Sequence, residues 1–433
     1  MTGTRYRYVI LVTVWLLYVI NYFDKIAVLN LLPFIRNDLG LSHEVIGLAA
    51  SLFFLAYAIM QIPAGIAADK WGPKIVMGVS IVAFTCFSFL TGVIKSLTQF
   101  IIVRLGLGVG EGLHFSPSIR AIGDWFPPQE KGRATAFFTT SWTIAPAIIP
   151  VVVAFITAAW GWRMVFYLLA IPGIVGVLVL KFYMYNKPEE ALQAGRINQE
   201  EYNYIKKQDM VKANTNTAVK VKPDFKEVAG DPYLWVITAI VFCKTSVYWG
   251  TTTWLTSYLV EQHGFNIKAM GFLAAIPFLV GLLGQMLGGT LMDKVFNSKA
   301  RPVLSLAFFA LAVVLYAVNL IPKGNIPILI IVFGLLGMFV VMYDGPIYAF
   351  VQLRYPNEMV GTVTGITQGI GQFGGFVAPI IAGFLIVTKA TGISYHNVFL
   401  YFAGMAIIGT LLSLSLNEKP IIVRPAKNSS MEG

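Results

Sequence analysis

The sequence has few charged residues and almost no cysteine. Charged side chains make up 12% of the 433 residues, whereas soluble proteins usually have about 25%. Hydrophobic residues make up 57%, so the composition excludes an ordinary soluble domain and indicates a protein that crosses a membrane many times. The two cysteines, Cys86 and Cys243, both lie in apolar runs, which argues against a disulfide framework.

Short motifs of common enzymes are lacking as well. The chain contains no HExxH, GxSxG or P-loop pattern and no appended soluble domain of useful size. A membrane enzyme or sensor is therefore a remote alternative, and we predict a protein that is not an enzyme and has no metal or organic cofactor. The net charge of +11 does not indicate a nucleic-acid partner, because the basic residues fall mostly in short loops between apolar runs.

Apolar runs of about 20 residues, the length that crosses a bilayer, dominate the chain. We predict twelve spans, near residues 8–32, 45–67, 74–94, 97–120, 133–158, 163–184, 232–259, 269–292, 302–320, 326–352, 361–388 and 395–416. A long polar stretch divides them six and six. The predicted organisation is an N-terminal half (1–185), a cytoplasmic linker (186–230) and a C-terminal half with a short cytoplasmic tail (231–433). The predicted fold class is an all-α membrane protein of two pseudo-symmetric six-helix halves.

The distribution of basic residues predicts the orientation. The polar stretch is rich in lysine, and the loops on its side of the membrane have more Lys and Arg than the loops on the other side, which places that side in the cytoplasm. Both termini are then cytoplasmic. The first apolar run is too long for a cleaved signal peptide, and we expect a monomer in the inner (plasma) membrane.

Two charges interrupt the fourth predicted span, which reads QFIIVRLGLGVGEGLHF. Arg104 and Glu111 are seven residues apart, so they share one helix face with about 10 Å between them along the axis. Each buried charge costs about 2.5 kcal/mol or more, so it needs a partner or a function. A structural ion pair is one interpretation. The other is a site for an anion and a proton, because Asp24, Lys25 and Tyr57 are predicted at similar depth and could surround one small volume between spans one, two and four.

In that second interpretation, Lys25 and Arg104 attract the carboxylate of a substrate, while Asp24 and Glu111 exchange protons with the two sides. A bound anion would remove part of the attraction that keeps a neighbouring carboxylate ionised. Substrate binding and proton binding would then be coupled.

A loop motif indicates a family. Between spans two and three the chain reads GIAADKWGPK, and a shorter copy, GTLMDK, follows span eight. The first closely resembles the loop motif of the major facilitator superfamily, Gly-x-x-x-Asp-Arg/Lys-x-Gly-x-Arg/Lys, and its recurrence suggests a duplicated half. The resemblance implies a gating element formed by Gly65, Asp69, Lys70, Gly72 and Lys74.

Within that superfamily the chain resembles the anion:cation symporter family, which includes bacterial proton symporters of sugar acids. The resemblance rests on NYFDK in span one, SLFFLAYAIMQIPAG in span two, RLGLGVGE in span four, and the following DWFP and GWR. It implies proton carriers at Asp24 and Glu111 and substrate contacts at Arg104 and Tyr57. Lys25 and Trp142 depart from the pattern, since many sugar-acid members have Arg and Gln there. Both changes leave fewer directed hydrogen bonds for a polyhydroxylated acid.

The second half has further candidates. Gln368 and Gln372 lie four residues apart on one predicted helix face, where they either contact substrate or hold helices together. Tyr248 and Trp249 either line a cavity or pack. Lys244 and Asp344 either form a structural pair or provide a second anion subsite, and the sequence leaves all three alternatives open.

The predicted function is proton-coupled import of a small organic anion, a sugar acid or similar carboxylate, by alternating access. An anion exchanger or uniporter on the same fold is the alternative. The expected partners are the small organic anion and the lipid bilayer, and protons are the expected coupling ion.

Overall fold

The computed structural model describes residues 5–214, 228–297, 299–355, 357–389 and 392–419. Up to residue 214 the chain forms ten helices, and their bounds are α1 Tyr6–Leu39, α2 His43–Trp71, α3 Pro73–Thr91, α4 Leu97–Gly112, α5 Phe115–Trp125, α6 Pro128–Thr139, α7 Ser141–Trp160, α8 Trp162–Tyr183, α9 Pro188–Gln193 and α10 Gln199–Asn214.

The described part of the chain after residue 228 forms a similar series. Its helices are α11 Pro232–Ser257, α12 Ile267–Thr290, α13 Ala300–Val318, α14 Ile326–Met342, α15 Asp344–Arg354, α16 Asn357–Gly371, α17 Phe373–Leu385 and α18 His396–Leu414. Short π-helical turns extend α11 over Tyr258–Gln262 and α12 over Leu291–Val295. A two-stranded antiparallel hairpin, β1 Val387–Lys389 and β2 Gly392–Ser394, precedes α18 and pairs Thr388 with Ile393.

Eleven helices in the described ranges are long and apolar enough to span a membrane. The fourth predicted span is the twelfth, and it is divided into α4 and α5. Proline is the third residue of α5 (Pro117) and also of α15 (Pro346), directly after the two breaks. Because proline lacks an N–H group, it cannot donate the hydrogen bond that would continue the preceding helix. The prediction of an all-α protein with twelve spans is confirmed.

The chain packs into two compact units. The first comprises residues 1–217 and 265–275, and the second comprises residues 218–264 and 276–433. Many apolar side chains remain exposed on the outer faces of these units; they include Ile62, Met286, Leu320 and Phe384, each at least 67% exposed. Such faces suit lipid rather than water.

Glycines bring α4 unusually close to its neighbours. A Cβ added at Gly108 would lie 2.4 Å from the carbonyl oxygen of Phe53, and one at Gly112 would lie 2.8 Å from that of Tyr57, both on α2. A Cβ at Gly110 would lie 2.8 Å from the amide nitrogen of Phe84 on α3. The backbones therefore touch on two sides of α4, as small residues allow between membrane helices, and the charges of α4 are enclosed.

The first part of the predicted linker folds onto the first unit. Glu201 of α10 accepts hydrogen bonds from the backbone amides of Tyr6 and Arg7, at 3.0 and 3.1 Å. It thus satisfies free N–H groups at the start of α1, where a negative charge is also favourable. Asn186 accepts a bond of 2.9 Å from the amide of Lys74 at the start of α3.

Candidate functional site

The central feature of the first unit is a buried ion pair between α1 and α4. Lys25 Nζ lies 3.3 Å from Glu111 Oε2, and the two side chains are 1% and 0% exposed. The ammonium group also lies over the rings of Tyr57 and Tyr22, 4.1 and 4.4 Å from their centroids. Aromatic faces attract a cation, so Lys25 is held between the carboxylate and these rings.

Arg104 is fully buried and contacts the same aromatic ring, Phe53, as Lys25. Its guanidinium group stacks on Phe53, with Cζ 4.4 Å from the ring centroid, and Lys25 Nζ lies 5.4 Å from the centroid of the same ring. Arg104 Nη2 donates to the carbonyl oxygen of Ala50 at 3.0 Å. Its Nε and Nη1 have no hydrogen-bond partner among the described residues.

Unused donors on a buried guanidinium are costly, because hydrogen bonding offsets the loss of water for nearly all buried polar groups. Glu111 pairs with Lys25 rather than with Arg104. Among the described residues, Arg104 therefore has no carboxylate at ion-pair distance. An anion with oxygen acceptors would satisfy these free donors.

Asp24, predicted to lie with Lys25, Arg104 and Glu111, contacts α3. Its carboxylate accepts a hydrogen bond from the hydroxyl of Ser88 on α3, so it faces α3 and not α2. The physical reason is helical geometry, since consecutive residues point about 100° apart around the axis. That Asp24 and Glu111 serve one site stays a prediction, and Glu111 is a charged neighbour of Asp24.

Tyr57 and Trp142, the two other candidate substrate-binding residues of this unit, have mainly aromatic contacts. Tyr57 lies under the Lys25 ammonium group, and its hydroxyl is 3.3 Å from that of Tyr18. The ring of Trp142 lies 5.9 Å from that of Phe115. The Trp142 indole N–H has no hydrogen-bond partner among the described residues.

The loop predicted as a gating motif has two partners that the sequence did not indicate. Asp69 forms an ion pair with Arg120 of α5, which also binds Asp124 at 2.9 Å. The next turn, at Gly72, has a φ of 83°, and the side chain of Asn186 lies against it so closely that a Cβ there would be 2.6 Å from Oδ1. Only glycine fits both conditions.

Gly65, Lys70 and Lys74 complete that motif. A Cβ at Gly65 would lie in ordinary contact with Ser116 of α5, at 3.9 Å. The exposed ammonium group of Lys70 lies 5.8 Å from the ring of Trp71. Lys74 Nζ donates to the carbonyl oxygen of Lys181 at 3.1 Å. In the second copy of the motif, the side chain of Asp293 lies outside the described part of the chain.

The second unit has its own ion pair, formed by Lys244 of α11 and Asp344 at the start of α15. The side chains are 12% and 13% exposed, and Lys244 Nζ lies 6.0 Å from the ring centroid of Tyr343. The pair has one cation and one carboxylate. Tyr248 and Trp249 pack edge to face, with centroids 4.9 Å apart.

Gln368 lies on α16, and Gln372 lies at the break between α16 and α17. Glycines on both sides of this break pack against α11, since a Cβ at Gly371 would lie 2.3 Å from Val241 Cγ1 and one at Gly374 of α17 would lie 2.4 Å from the carbonyl oxygen of Phe242. The Nε2 of Gln368 is buried without a hydrogen-bond partner among the described residues. Gln372 still donates its backbone amide to Gln368 at 2.9 Å.

A further buried ion pair, not predicted from the sequence, joins the ends of two spans. Arg354 donates from Nε and Nη2 to the two carboxylate oxygens of Asp231, both at 2.8 Å, and the hydroxyl of Tyr355 donates to the same group at 2.7 Å. Burial alone would raise the pKa of Asp231, but the hydrogen bonds from Arg354 and Tyr355 lower it below its usual value. No cluster of metal-ligating side chains occurs within the described ranges.

Most of the chain matches a known family model. The model of the Major Facilitator Superfamily matches residues 14–379 and, in a second match, residues 300–430. The chain belongs to the major facilitator superfamily. It is a multi-pass membrane transporter and not an enzyme, as the loop motif predicted.

Relatives within this superfamily transport organic anions. The chain is 29% identical over 414 residues to a probable sulfoacetate transporter of Cupriavidus necator, covering 95% of this chain and 94% of the relative. It is 27% identical to the hexuronate transporter of Bacillus subtilis, with 94% of each chain covered. A probable galactarate/D-glucarate transporter of Bacillus subtilis is 28% identical, with 96% of this chain and 93% of the relative covered. The resemblance to sugar-acid and organic-anion transporters is confirmed.

Solved structures show the same fold at lower identity. The D-xylose-proton symporter superposes with a TM-score of 0.74 at 15% identity, covering 94% of this chain and 97% of that one. A bacterial homologue of the human lysosomal transporter Spinster superposes with a TM-score of 0.72 at 17% identity, with 95% of each chain covered. These likenesses support the major facilitator fold.

Proposed function

We propose that this facilitator is a proton-coupled symporter that imports a small organic anion by alternating access. The observation that supports the proposal best is the unused donor capacity of Arg104, which lies beside the ion pair of Lys25 and Glu111. The relatives are named for sulfoacetate, hexuronate and galactarate/D-glucarate. All of these are small anions with acidic oxygen groups.

In the proposed site, the substrate carboxylate accepts hydrogen bonds from Arg104 Nε and Nη1. A second oxygen of the anion approaches Lys25 and competes with Glu111 for the ammonium group. Charge-assisted bonds of this kind are about twice as strong as neutral ones. The anion therefore weakens the attraction between Lys25 and Glu111.

Coupling follows from that competition. Once its partner is shared with the substrate, Glu111 is a buried carboxylate with less compensation, and the Oε1 atom of Glu111 already lacks a hydrogen-bond partner among the described residues. A buried, poorly paired carboxylate is more stable when protonated. Binding of the anion thus favours binding of a proton, and the loaded site has less net charge to move through the membrane.

The remaining assignments belong to the same proposal. Lys25 is a point charge that binds carboxylate less directionally than arginine, and Trp142 offers one N–H donor. We therefore favour a monocarboxylate or sulfonated acid with few hydroxyl groups. Gln368, Gln372, Tyr248 and Trp249 are assigned to substrate contact, and the loop from Gly65 to Lys74 to gating. We further propose that the protein is a monomer in the inner membrane with both termini in the cytoplasm.

The test is uptake into proteoliposomes with an imposed pH gradient. The panel consists of glucuronate, galactarate, galactonate and sulfoacetate, and internal pH is recorded beside uptake of each acid. We expect at least one acid to accumulate above its external concentration with simultaneous inward proton movement. Exchange of internal for external anion, with no proton movement for any acid that is transported, would indicate an exchanger and contradict the proposal.

A further inference from the structure

The break in the fourth span changes the hydrogen bonds around Glu111. In a continuing α-helix, the backbone amide of His114 would donate to the carbonyl oxygen of Gly110, four residues back. Here the amide of His114 donates to the carbonyl oxygen of Glu111, at 3.1 Å. The carbonyl group of Gly110 therefore needs another donor, because a buried carbonyl group without one is costly.

Ser80 of α3 supplies that donor. Ser80 is 0% exposed, and its hydroxyl donates to the carbonyl oxygen of Gly110 at 2.7 Å. His114 Nδ1 lies 3.2 Å from the same hydroxyl oxygen. Since the single hydroxyl hydrogen is used on Gly110, Nδ1 is the donor in this second bond. The His114 ring, the Ser80 hydroxyl and the Gly110 carbonyl group thus form one series of hydrogen bonds.

His114 is fully buried, and its ring contacts two helices. The ring centroid lies 5.8 Å from that of Tyr18 on α1 and 6.2 Å from that of Phe84 on α3. The Nε2 atom has no hydrogen-bond partner among the described residues. A proton on Nε2 would give the ring a buried charge without an acceptor, which is costly. The ring is therefore neutral, and its polar contact is the bond to Ser80.

These bonds fix the backbone on both sides of Glu111. The carbonyl group before its Cα accepts from Ser80, and the carbonyl group after its Cα accepts from the amide of His114. From this position the carboxylate of Glu111 lies 3.3 Å from Lys25 Nζ. A functional side chain has to be held within about 0.5 Å by neighbours that are themselves fixed. Ser80 and His114 meet that requirement for Glu111.

Few charged groups adjoin this part of α4. The helices packed most closely on it are α2 and α3, and their charged residues lie only near their ends. In mid-span the charged neighbours of Glu111 are Lys25, Arg104 and Asp24. Ser80 and the neutral ring of His114 add no charge to this group. Their replacement therefore changes the orientation of Glu111 without changing the charges around it.

We propose that Ser80 and His114 are positioning residues for proton coupling, which hold the end of α4 so that the carboxylate of Glu111 faces Lys25. The inference rests on the proposed proton coupling. It assigns no proton transfer to His114 itself. The two side chains act in series, because the His114 ring reaches the backbone of α4 through the Ser80 hydroxyl.

The test uses reconstituted Ser80→Ala, His114→Leu and His114→Asn. Asparagine has an amide N–H group that can take the place of Nδ1–H, but it does not titrate. The matched control is Ser413→Ala, which removes an equally buried hydroxyl that donates to Gly409 on its own helix, at 2.7 Å. The acid of the panel with the highest uptake is the probe. Proton-driven uptake and the protons moved per acid are measured against pH, beside counterflow of the same acid without a pH gradient.

We expect Ser80→Ala and His114→Leu to slow proton-driven uptake at least about 5-fold and to lower the number of protons moved per acid. Counterflow per folded protein should stay within about 2-fold of the wild type, because the anion contacts of Arg104 are kept. The double variant should be no slower than the slower single variant, since the two side chains act in series. His114→Asn should recover at least about half of the lost rate, and Ser413→Ala should change nothing.

The inference is overturned if His114→Asn loses coupling as fully as His114→Leu, because the ring itself then carries the proton. It is also overturned if Ser80→Ala couples protons like the wild type, or if counterflow and proton-driven uptake fall equally. A wild type that moves no protons with the acid contradicts the proposed function instead, so the two failures are distinguishable.

Discussion

Each half of the transporter has a largely buried pair of one lysine and one carboxylate, but the groups beside the two pairs differ. Lys25 and Glu111 are almost completely buried and lie beside Arg104, whose Nε and Nη1 have no hydrogen-bond partner among the described residues. Lys244 and Asp344 are slightly more exposed and form a balanced pair. A pair of one cation and one carboxylate needs no further charge, whereas unused donors on a buried guanidinium favour an anion with oxygen acceptors. The first half is therefore the better candidate for substrate binding.

Replacement of Arg104 is the strongest test of this difference between the two halves. We expect Arg104→Ala to weaken binding of the transported acid at least about 100-fold, since two hydrogen bonds to a charged group are worth about 3 kcal/mol or more together. Arg104→Lys should recover only part of the affinity because it has fewer directed donors. The measurement is ligand-dependent tryptophan fluorescence or isothermal titration with purified protein.

The matched control for this prediction is Arg163→Ala. Arg163 is 36% exposed and pairs with Asp38 at the end of the spans, so its loss should leave the affinity within about 2-fold. Equal effects of the two substitutions would mean that Arg104 acts through general stability.

The ion pair of Asp231 and Arg354 provides a purely structural reference. Asp231→Asn should lower the free energy of unfolding by about 3 kcal/mol, because Arg354 would remain buried with an incomplete partner. Thermal unfolding in detergent measures this, with Glu44→Gln at the start of α2 as the control. Transport by the protein that remains folded should be unchanged.

The pH dependence of that pair has a defined sign. The pKa of Asp231 is lowered in the folded protein, so its contribution to stability is present above the usual aspartate pKa of about 3.9 and is lost as pH falls below it. The stability difference between wild type and Asp231→Asn should therefore shrink on acidification. A difference that grows at low pH would contradict the assignment.

The balanced pair of the second half should behave like the structural reference. Lys244→Met and Asp344→Asn should each lower stability by about 2 kcal/mol, and the double variant should regain most of it. A double-mutant cycle of thermal unfolding gives the coupling energy. Wild-type stability with weakened anion binding in Lys244→Met would instead support a second anion subsite.

The smallest expected effect concerns Gln368. The Nε2 of Gln368 has no partner among the described residues and can donate a hydrogen bond to the substrate, worth about 1 kcal/mol. Gln368→Leu should therefore raise the KM about 5-fold with little change in kcat. Uptake kinetics at saturating proton gradient measure both constants. A fall in expression without a change in KM would assign Gln368 to helix packing.

The sequence predicted the spans well because their apolar length is dictated by the bilayer. It also indicated the burial of Arg104 and Glu111, since a charge within an apolar run must be enclosed. It did not predict which carboxylate pairs with Lys25, because side-chain direction depends on helix rotation. Asp24 and Lys25 are neighbours in sequence and still point to different helices.

The sequence also did not predict the contacts between distant segments. Arg120 near Asp69, Asn186 near Gly72 and Arg354 near Asp231 all join residues more than 50 positions apart. No local pattern reports such partners. The break in span four had a signal, the proline at position 117, but a proline can kink a membrane helix as well as end one.

The central claim is that an anion and a proton share the site of Lys25, Arg104 and Glu111. Glu111→Gln tests it most directly, because it removes the titratable group and keeps the shape. Reconstituted Glu111→Gln should still exchange the transported acid across the membrane but should no longer concentrate it under an inward proton gradient, while Glu44→Gln accumulates it normally. Accumulation by Glu111→Gln above the external concentration would contradict the account.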